Sequence, residues 1–103
     1  MTERRGFVLR VKPDRIDAYV EAHRHVWPEM LEALRAAGIR NYTIFRAGND
    51  VFGYFEADDL ARAEEYLAAQ DVSTRWQDAM AELLDERVPD EGPPPLEEVF
   101  RLD

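Results

Sequence analysis

The sequence contains no cysteine, and this absence excludes several kinds of chemistry at once. Disulfides, thiolate nucleophiles and zinc ribbons all need that side chain. Serine is almost as scarce, because Ser73 is the single serine in 103 residues and no nucleophile motif surrounds it. We expect Ser73 to act in the cap of a helix. The five glycines are dispersed, so the chain also lacks a glycine-rich loop of the kind that binds phosphate.

Positive charge is also scarce. Lys12 is the only lysine, and 13 basic residues stand against 22 acidic ones, which gives a net charge of −9. Nucleic acids and anionic membranes are bound mainly by clustered basic side chains, so we predict neither as a partner. A neutral or cationic small ligand suits this charge. The apolar run near the start is too short for a signal sequence or a membrane span, so we predict a cytoplasmic protein.

What the sequence does contain is enough apolar material for one folded domain over residues 1–103. Its hydrophobic fraction is 46% and its aromatic fraction 11%, values typical of globular proteins. A chain of this length buries one compact core and leaves much of its surface exposed. A large pocket is hard to build within one such subunit. We therefore expect a homo-oligomer in which a neighbouring subunit helps to enclose the pocket.

Hydrophobic periodicity predicts an α+β fold. Strands are expected over 6–11, 40–46, 51–56 and 96–102, with the second and third joined as a hairpin through AGND. Helices are expected over 14–38, with a kink or a break at Pro28, and over 59–69 and 72–85. The proline-rich stretch 88–95 would carry the last strand. This order is the ferredoxin-like split βαβ arrangement, an antiparallel sheet with helices on one face. Large apolar side chains on its other face predict two sheets packed as a dimer.

The helix that contains two histidines is the most informative segment. At 100° per residue, His23 lies on the inward stripe with Tyr19 and Trp27, whereas His25 lies on the solvent side. A metal site needs ligands on one face, so we predict no metal here. Two interpretations of His23 stay open. It is either a core histidine bonded to a backbone carbonyl or a group that transfers protons near neutral pH in an aromatic cavity.

Other aromatic and acidic residues leave alternatives open too. Tyr42 shares a strand face with Ile44. It is either a residue that packs against a neighbour or one that contacts a ligand. Trp76 lies on the inward stripe of a helix. It is either a core residue or a ring that stacks on a sugar. The polar residue Gln77 lies next to it in the sequence. Three carboxylate pairs are interpreted as solvated surface: Asp58–Asp59, Glu64–Glu65 and Glu97–Glu98.

These residues occur in an order that resembles the L-rhamnose mutarotase family of dimeric α+β-barrel proteins. The matching stretches are FVLRVKPDRIDAYVEAHRHVWPEM, GIRNYTIF, STRWQDAM and PLEEVFRL, which span essentially the whole chain. The resemblance implies an isomerase that interconverts the α and β anomers of a sugar. It also implies a homodimer and a reaction without metal or other cofactor.

The same resemblance implies roles for five residues. His23 falls on the family's proton donor, and Tyr19 and Tyr42 fall on substrate contacts. Trp76 matches the first of two adjacent aromatic sugar contacts, and Gln77 replaces the second. Glutamine hydrogen-bonds but does not stack, so L-rhamnose or another 6-deoxy sugar such as L-fucose is the expected substrate. The general base stays open among a tyrosine, a water and a carboxylate.

Two rival functions also remain. Proteins of this architecture include haem-degrading and quinone-forming monooxygenases, in which a helix histidine can bind haem iron. The other rival is a non-catalytic sugar-binding or oligomerisation module.

Overall fold

A computed structural model describes residues 1–85, 93 and 95–102 of the chain. Within them the strands are β1 (Glu3–Arg10), β2 (Arg40–Ala47) and β3 (Asp50–Ala57). The helices are α1 (Ile16–Arg24), α2 (Pro28–Ala36), α3 (Leu60–Ala68) and α4 (Asp71–Ala81), and a short 3₁₀ turn precedes α1. This succession of elements confirms the predicted α+β fold.

The three strands form one antiparallel sheet in the order β1–β3–β2. Gly48 occupies a positive φ of 63° in the turn between β2 and β3, a conformation that glycine adopts without steric cost. The register places Gly53 of β3 between Phe7 of β1 and Ile44 of β2. Because side chains alternate along a strand, these inward positions form the face that the helices cover.

The helix that we predict over 14–38 is divided in two, as expected from its proline. Pro28 is the first residue of α2, a position where a missing N–H costs nothing. The break between α1 and α2 lets both helices pack inward from different directions. Farther along, the side chain of Asp59 caps α3 by accepting a hydrogen bond from the backbone N–H of Arg62 at 3.0 Å.

The core lies between the sheet and the helices and consists of three packed groups. One joins β1, α1 and β3 to the end of α4, and another joins α2 to α4. The last joins β3 to α3. Their buried members are Val11, Tyr19, Val51 and Leu83; Met30, Ala33, Val72 and Trp76; and Ile39, Ala57, Leu60 and Ala63.

Two predictions near the end of the chain are wrong. The last helix ends at Ala81, not near Asp85, because Leu83 is buried in the core and Leu84 forms a β-bridge with Val11. Residues 95–102 form no strand. Leu96 donates one backbone hydrogen bond to the carbonyl oxygen of Gly6 at 2.9 Å.

The physical reason is that the apolar side chains of this tail find no surface within one chain. Val99, Phe100 and Leu102 are each more than 80% exposed. A strand pattern alone does not hold a segment in a sheet when its apolar face stays in water. Most of the proline-rich stretch 88–95 lies outside the described residues.

The sheet face turned away from the helices carries a row of apolar side chains. Val8, Phe52 and Phe45 come from neighbouring strands, pair directly across the sheet and are all exposed. This agrees with the expected apolar outer face. None of the helices in the described ranges is long and apolar enough to cross a membrane.

Candidate active site

A cavity of about 760 Å³ opens between the inner face of the sheet and the helices. Helices α1 and α2 form one wall, α3 and α4 form another, and β2 and β3 form the floor. Most of its lining is apolar, from residues such as Met30, Leu34 and Leu67. A small set of other side chains also reaches it: His23, Tyr42, Phe55, Ser73, Trp76 and Gln77. An apolar cavity with a few polar groups is typical of small-molecule sites.

His23 is held on the cavity wall by contacts on both sides of its ring. Its Nδ1 lies 2.9 Å from the carbonyl oxygen of Tyr19, one helical turn earlier. The Tyr19 ring lies alongside at 4.3 Å between centroids, and Trp76 meets the imidazole edge-on at 5.4 Å and 80°. A carbonyl oxygen only accepts hydrogen bonds, so Nδ1 must carry a hydrogen. Nε2 is therefore the nitrogen left to exchange protons.

A second opening, the α1–β2 groove of about 730 Å³, lies on the other side of His23. His23 and Ile44 line both spaces and form the partition between them. Tyr19 borders the groove, not the cavity. The structure thus brings four of the five predicted site residues into one cavity and places the fifth against the imidazole from behind.

Both site tyrosines have phenols that resist ionisation. Burial raises the pKa of Tyr19 well above its usual value, and the nearby Tyr42 phenol raises it further. Although Tyr42 as a whole residue is 41% exposed, desolvation of its phenol raises the pKa to about 12. Because both hydroxyls stay protonated near neutral pH, they serve as hydrogen-bond donors and are poor general bases.

Two backbone features aim Tyr42 into the cavity. Strand β2 has a bulge between Arg40 and Thr43, and Asn41 adopts a positive φ of 51° there. The Asn41 side chain holds this turn by donating to Glu56 at 2.7 Å. A bulge re-aims neighbouring side chains, and asparagine tolerates this backbone region. Tyr42 consequently packs on Phe55 at 5.1 Å.

Gly53 provides the second backbone feature, because Phe7 lies directly across it. A Cβ at this position would overlap the Phe7 ring. The bare glycine lets that ring reach the edge of Tyr42, with centroids 6.4 Å apart and planes at 85°. Neither the bulge nor this close approach is evident from the periodicity of the sequence.

Trp76 is supported from the side away from His23 by Trp27. The two indoles meet at right angles with centroids 5.1 Å apart. Arg75 lies over the Trp27 ring at 5.8 Å and reaches Glu29 at 3.4 Å, which ties α4 to α2. Trp27 does not line the cavity, so its contact with the site runs through Trp76.

Three other sequence predictions have mixed outcomes. Ser73 is not a helix cap, because Gln70 caps α4 and Ser73 lies buried in its first turn against the cavity. Glu64 is exposed as expected, but it also borders the cavity and pairs with Arg5. His25 faces solvent as predicted and contacts Glu21 at 3.1 Å.

No three His, Asp or Glu side chains cluster in a way that would hold a metal ion, as far as residues 1–85, 93 and 95–102 are concerned. The side chains at the cavity offer several kinds of contact. They comprise one imidazole, one phenol, one amide, one hydroxyl and one carboxylate, and the aromatic rings offer apolar faces. This combination is typical of a class of protein, an α+β enzyme that acts on a small molecule by acid–base chemistry.

Comparisons with known proteins identify the family. A model of the family "L-rhamnose mutarotase" matches residues 4–102. An L-rhamnose mutarotase of Pectobacterium atrosepticum is 38% identical over 97% of this chain and 98% of its own length. One from Oceanobacillus iheyensis is 33% identical over 98% and 99%. The crystal structure of an L-rhamnose mutarotase from Formosa agariphila superposes with a TM-score of 0.78, at 31% identity over 98% of this chain and 99% of that one.

The chain therefore belongs to the L-rhamnose mutarotase family. This confirms the resemblance found in the sequence and the assignment to the isomerases.

Proposed function

We propose that this protein interconverts the α and β anomers of L-rhamnose. The observation that carries the proposal is the 2.9 Å contact between His23 Nδ1 and the Tyr19 carbonyl oxygen at the cavity wall. Because a carbonyl oxygen only accepts, the hydrogen belongs on Nδ1, and Nε2 is left for proton exchange. Mutarotation consists of proton transfers around one C–O bond. It needs a group that gives and takes a proton at one place, and imidazole does so near neutral pH.

The reaction follows from that single nitrogen. Protonated Nε2 donates its proton to the ring oxygen as the anomeric hydroxyl loses its own proton to a base. The bond between C1 and the ring oxygen breaks, and the electron pair of the anomeric oxygen forms the carbonyl. The aldehyde rotates and the ring closes on its other face. In closure, neutral Nε2 takes the proton back from the attacking hydroxyl, and the carbonyl oxygen regains a proton, so the enzyme returns unchanged.

We assign substrate contacts to three of the remaining predicted residues and a supporting role to the fourth, Tyr19. Trp76 offers an indole face to the apolar side of the sugar, and Gln77 hydrogen-bonds a hydroxyl. Tyr42 donates from its protonated phenol. Tyr19, which borders the groove and not the cavity, supports the imidazole. The base that accepts the anomeric proton is a water or a carboxylate, because desolvation keeps both phenols protonated.

We also propose that the working form is a homodimer. The row of Val8, Phe52 and Phe45 on the outer sheet face leaves aromatic and branched side chains in water, and three apolar tail residues are exposed as well. A contiguous apolar patch of this kind marks an interface. Two copies that pack sheet against sheet would cover it and would offer each tail a surface.

The cytoplasmic location stays a prediction, and fractionation of the producing cells would test it.

The test of the proposed function is a measurement of anomer exchange on two 6-deoxy sugars. The L-rhamnose and L-fucose signals of H1 are followed by proton NMR with magnetisation transfer, with and without enzyme. We expect faster exchange for L-rhamnose than in buffer alone, and a smaller or no acceleration for L-fucose. No acceleration with either sugar contradicts the proposal. Sugar binding without exchange would indicate a non-catalytic module, and a Soret band after incubation with haemin would indicate a haem protein.

A further inference from the structure

Ser73 is the only polar residue that is buried in the described part of the chain. It is the third residue of α4 and is 7% exposed, and it lies on the wall of the cavity. Serine is mostly a surface residue, and a buried hydroxyl costs free energy unless it is hydrogen-bonded. A buried serine therefore needs a partner, and the position of Ser73 indicates where that partner lies.

No group in the described ranges hydrogen-bonds the Ser73 hydroxyl, although its backbone N–H donates to the carbonyl oxygen of Gln70 at 3.1 Å. A serine inside a helix commonly bonds a carbonyl one turn earlier, and Ser73 does not. The hydroxyl oxygen is not sealed in the protein either. Among the described residues, no side-chain nitrogen or oxygen is both fully buried and without a partner. The oxygen is thus reachable from the cavity.

The surroundings of Ser73 favour a polar ligand in an otherwise apolar space. Val72 packs into the core on one side, and Trp76 lies one turn further along α4. Gln77 lies four residues after Ser73, so the two project from the same face of the helix into the cavity. His23 lines the same cavity, and the centroid of its ring lies 5.4 Å from that of Trp76.

We infer that the Ser73 hydroxyl hydrogen-bonds a ring hydroxyl of the bound aldose, away from the anomeric carbon. The inference rests on the proposed function and extends its binding site. It assigns α4 two polar contacts, Ser73 and Gln77, one helical turn apart on one side of the Trp76 ring. His23 exchanges protons at the anomeric end of the sugar. The two polar side chains of α4 hydrogen-bond hydroxyls at the other end of the same sugar.

The test compares three proteins on four sugars. The proteins are the wild type, Ser73→Ala and Thr74→Ala, the last being a matched loss of a hydroxyl on an exposed neighbour. The sugars are L-rhamnose and its 2-, 3- and 4-deoxy derivatives. Anomer exchange by NMR at varied sugar concentration gives KM and kcat for each pair.

For Ser73→Ala we expect KM for L-rhamnose to rise roughly three- to tenfold, the size of one neutral hydrogen bond, with kcat nearly unchanged. With one of the deoxy sugars, the wild type and Ser73→Ala should have equal KM, because that sugar lacks the hydroxyl that Ser73 hydrogen-bonds. Thr74→Ala should match the wild type throughout. The melting temperature of Ser73→Ala should equal or exceed that of the wild type, since an unpaired hydroxyl is removed.

Three results would overturn the inference. An unchanged KM in Ser73→Ala would show that the hydroxyl binds no sugar. An equal rise for all three deoxy sugars, or a lowered melting temperature, would show a structural role. These outcomes presuppose exchange by the wild type. If the wild type exchanges none of the four sugars, the proposed function fails, and this assignment fails with it.

Discussion

His23 Nδ1 lies 2.9 Å from the carbonyl oxygen of Tyr19, and this one hydrogen bond determines the chemistry of the imidazole. The expectation that His23 is a core histidine bonded to a backbone carbonyl and the expectation that it transfers protons are therefore both compatible with the structure. The carbonyl fixes the hydrogen on Nδ1 and holds the ring plane. Nε2 is then the nitrogen that we propose releases a proton and takes it back.

Tyr42→Phe tests whether the phenol is a donor or a base. Desolvation raises the pKa of Tyr42 from 10 to about 12, so the phenol stays protonated over the working range. We expect the pH profile of kcat/KM to keep its shape below pH 10 in this variant, with a loss of roughly three- to tenfold from one missing hydrogen bond. If the variant instead loses a rise or fall of kcat/KM that the wild type shows at or below neutral pH, Tyr42 would be the base.

The same raised pKa has a consequence for stability at high pH. Unfolded tyrosine ionises near 10 and folded Tyr42 near 12, so the unfolded state binds fewer protons between these values. The free energy of unfolding must then fall as pH rises through that window. Urea titrations at pH 9 and pH 11 should show this fall, and Tyr42→Phe should show a smaller one. An equal fall in both proteins would contradict the assignment.

Trp27→Leu tests the support of Trp76 from outside the cavity. The edge-to-face pair contributes about 0.5–1.5 kcal/mol beyond its buried area. We expect kcat/KM to fall roughly two- to tenfold, because Trp76 loses its orientation, and the conservative Trp27→Phe to recover most of it. The chain has two tryptophans, so Trp27→Leu also leaves Trp76 as the sole emitter for sugar titrations. Wild-type kcat/KM in Trp27→Leu would show that Trp76 needs no such support.

Gly53→Ala tests the floor of the cavity. The added methyl group would overlap the Phe7 ring, so Phe7 must move and displace its neighbour Tyr42. We expect a loss of stability of about 1–3 kcal/mol, typical of overpacking, together with a raised KM. Gly6→Ala is the matched control, because its added Cβ would meet only ordinary contacts at 3.6 Å. Equal behaviour of the two variants would contradict the close packing at Gly53.

Phe45→Glu tests the homodimer. Phe45 is 66% exposed in one chain, the most exposed of the three residues in the row, and lies on the edge strand β2 at one end of that row. Light scattering at micromolar concentration should give twice the 12.0 kDa chain mass for the wild type and the single-chain mass for the variant. Tyr66→Glu, on the exposed surface of α3, should remain a dimer. A measured mass of one chain for the wild type would contradict the proposed homodimer.

Much of the fold could be predicted from the sequence, because the spacing of apolar residues reports which face of each element is buried. The shared face of Tyr19 and His23 follows from helical periodicity, and His25 is exposed as that periodicity predicts. Trp27 does not continue the stripe, because α1 ends at Arg24 and Trp27 is the N-cap of α2. The division of the first helix follows from Pro28. These features depend on local geometry, which one chain segment determines by itself.

The remaining features depend on contacts between distant segments. The bulge at Asn41 exists only in the register of β2 against β3, and the close approach at Gly53 needs Phe7 from another strand. Serine is a common N-cap residue, but the N-cap of α4 is Gln70. Ser73 therefore lies inside the helix, where it lines the cavity. The wrongly predicted last strand has strand-like alternation, but its apolar side chains have no surface to cover in one chain.

The most direct test of the account concerns the two histidines. Magnetisation transfer between the anomers of L-rhamnose is measured at equal concentrations of wild type, His23→Gln and His25→Gln, with folding checked by circular dichroism. The account predicts that His23→Gln folds normally and loses roughly 10²–10⁴-fold of the catalysed exchange, the contribution of a positioned proton-transfer group. His25→Gln should retain wild-type exchange. Wild-type exchange by folded His23→Gln, or an equal loss in both variants, would contradict the central role of His23.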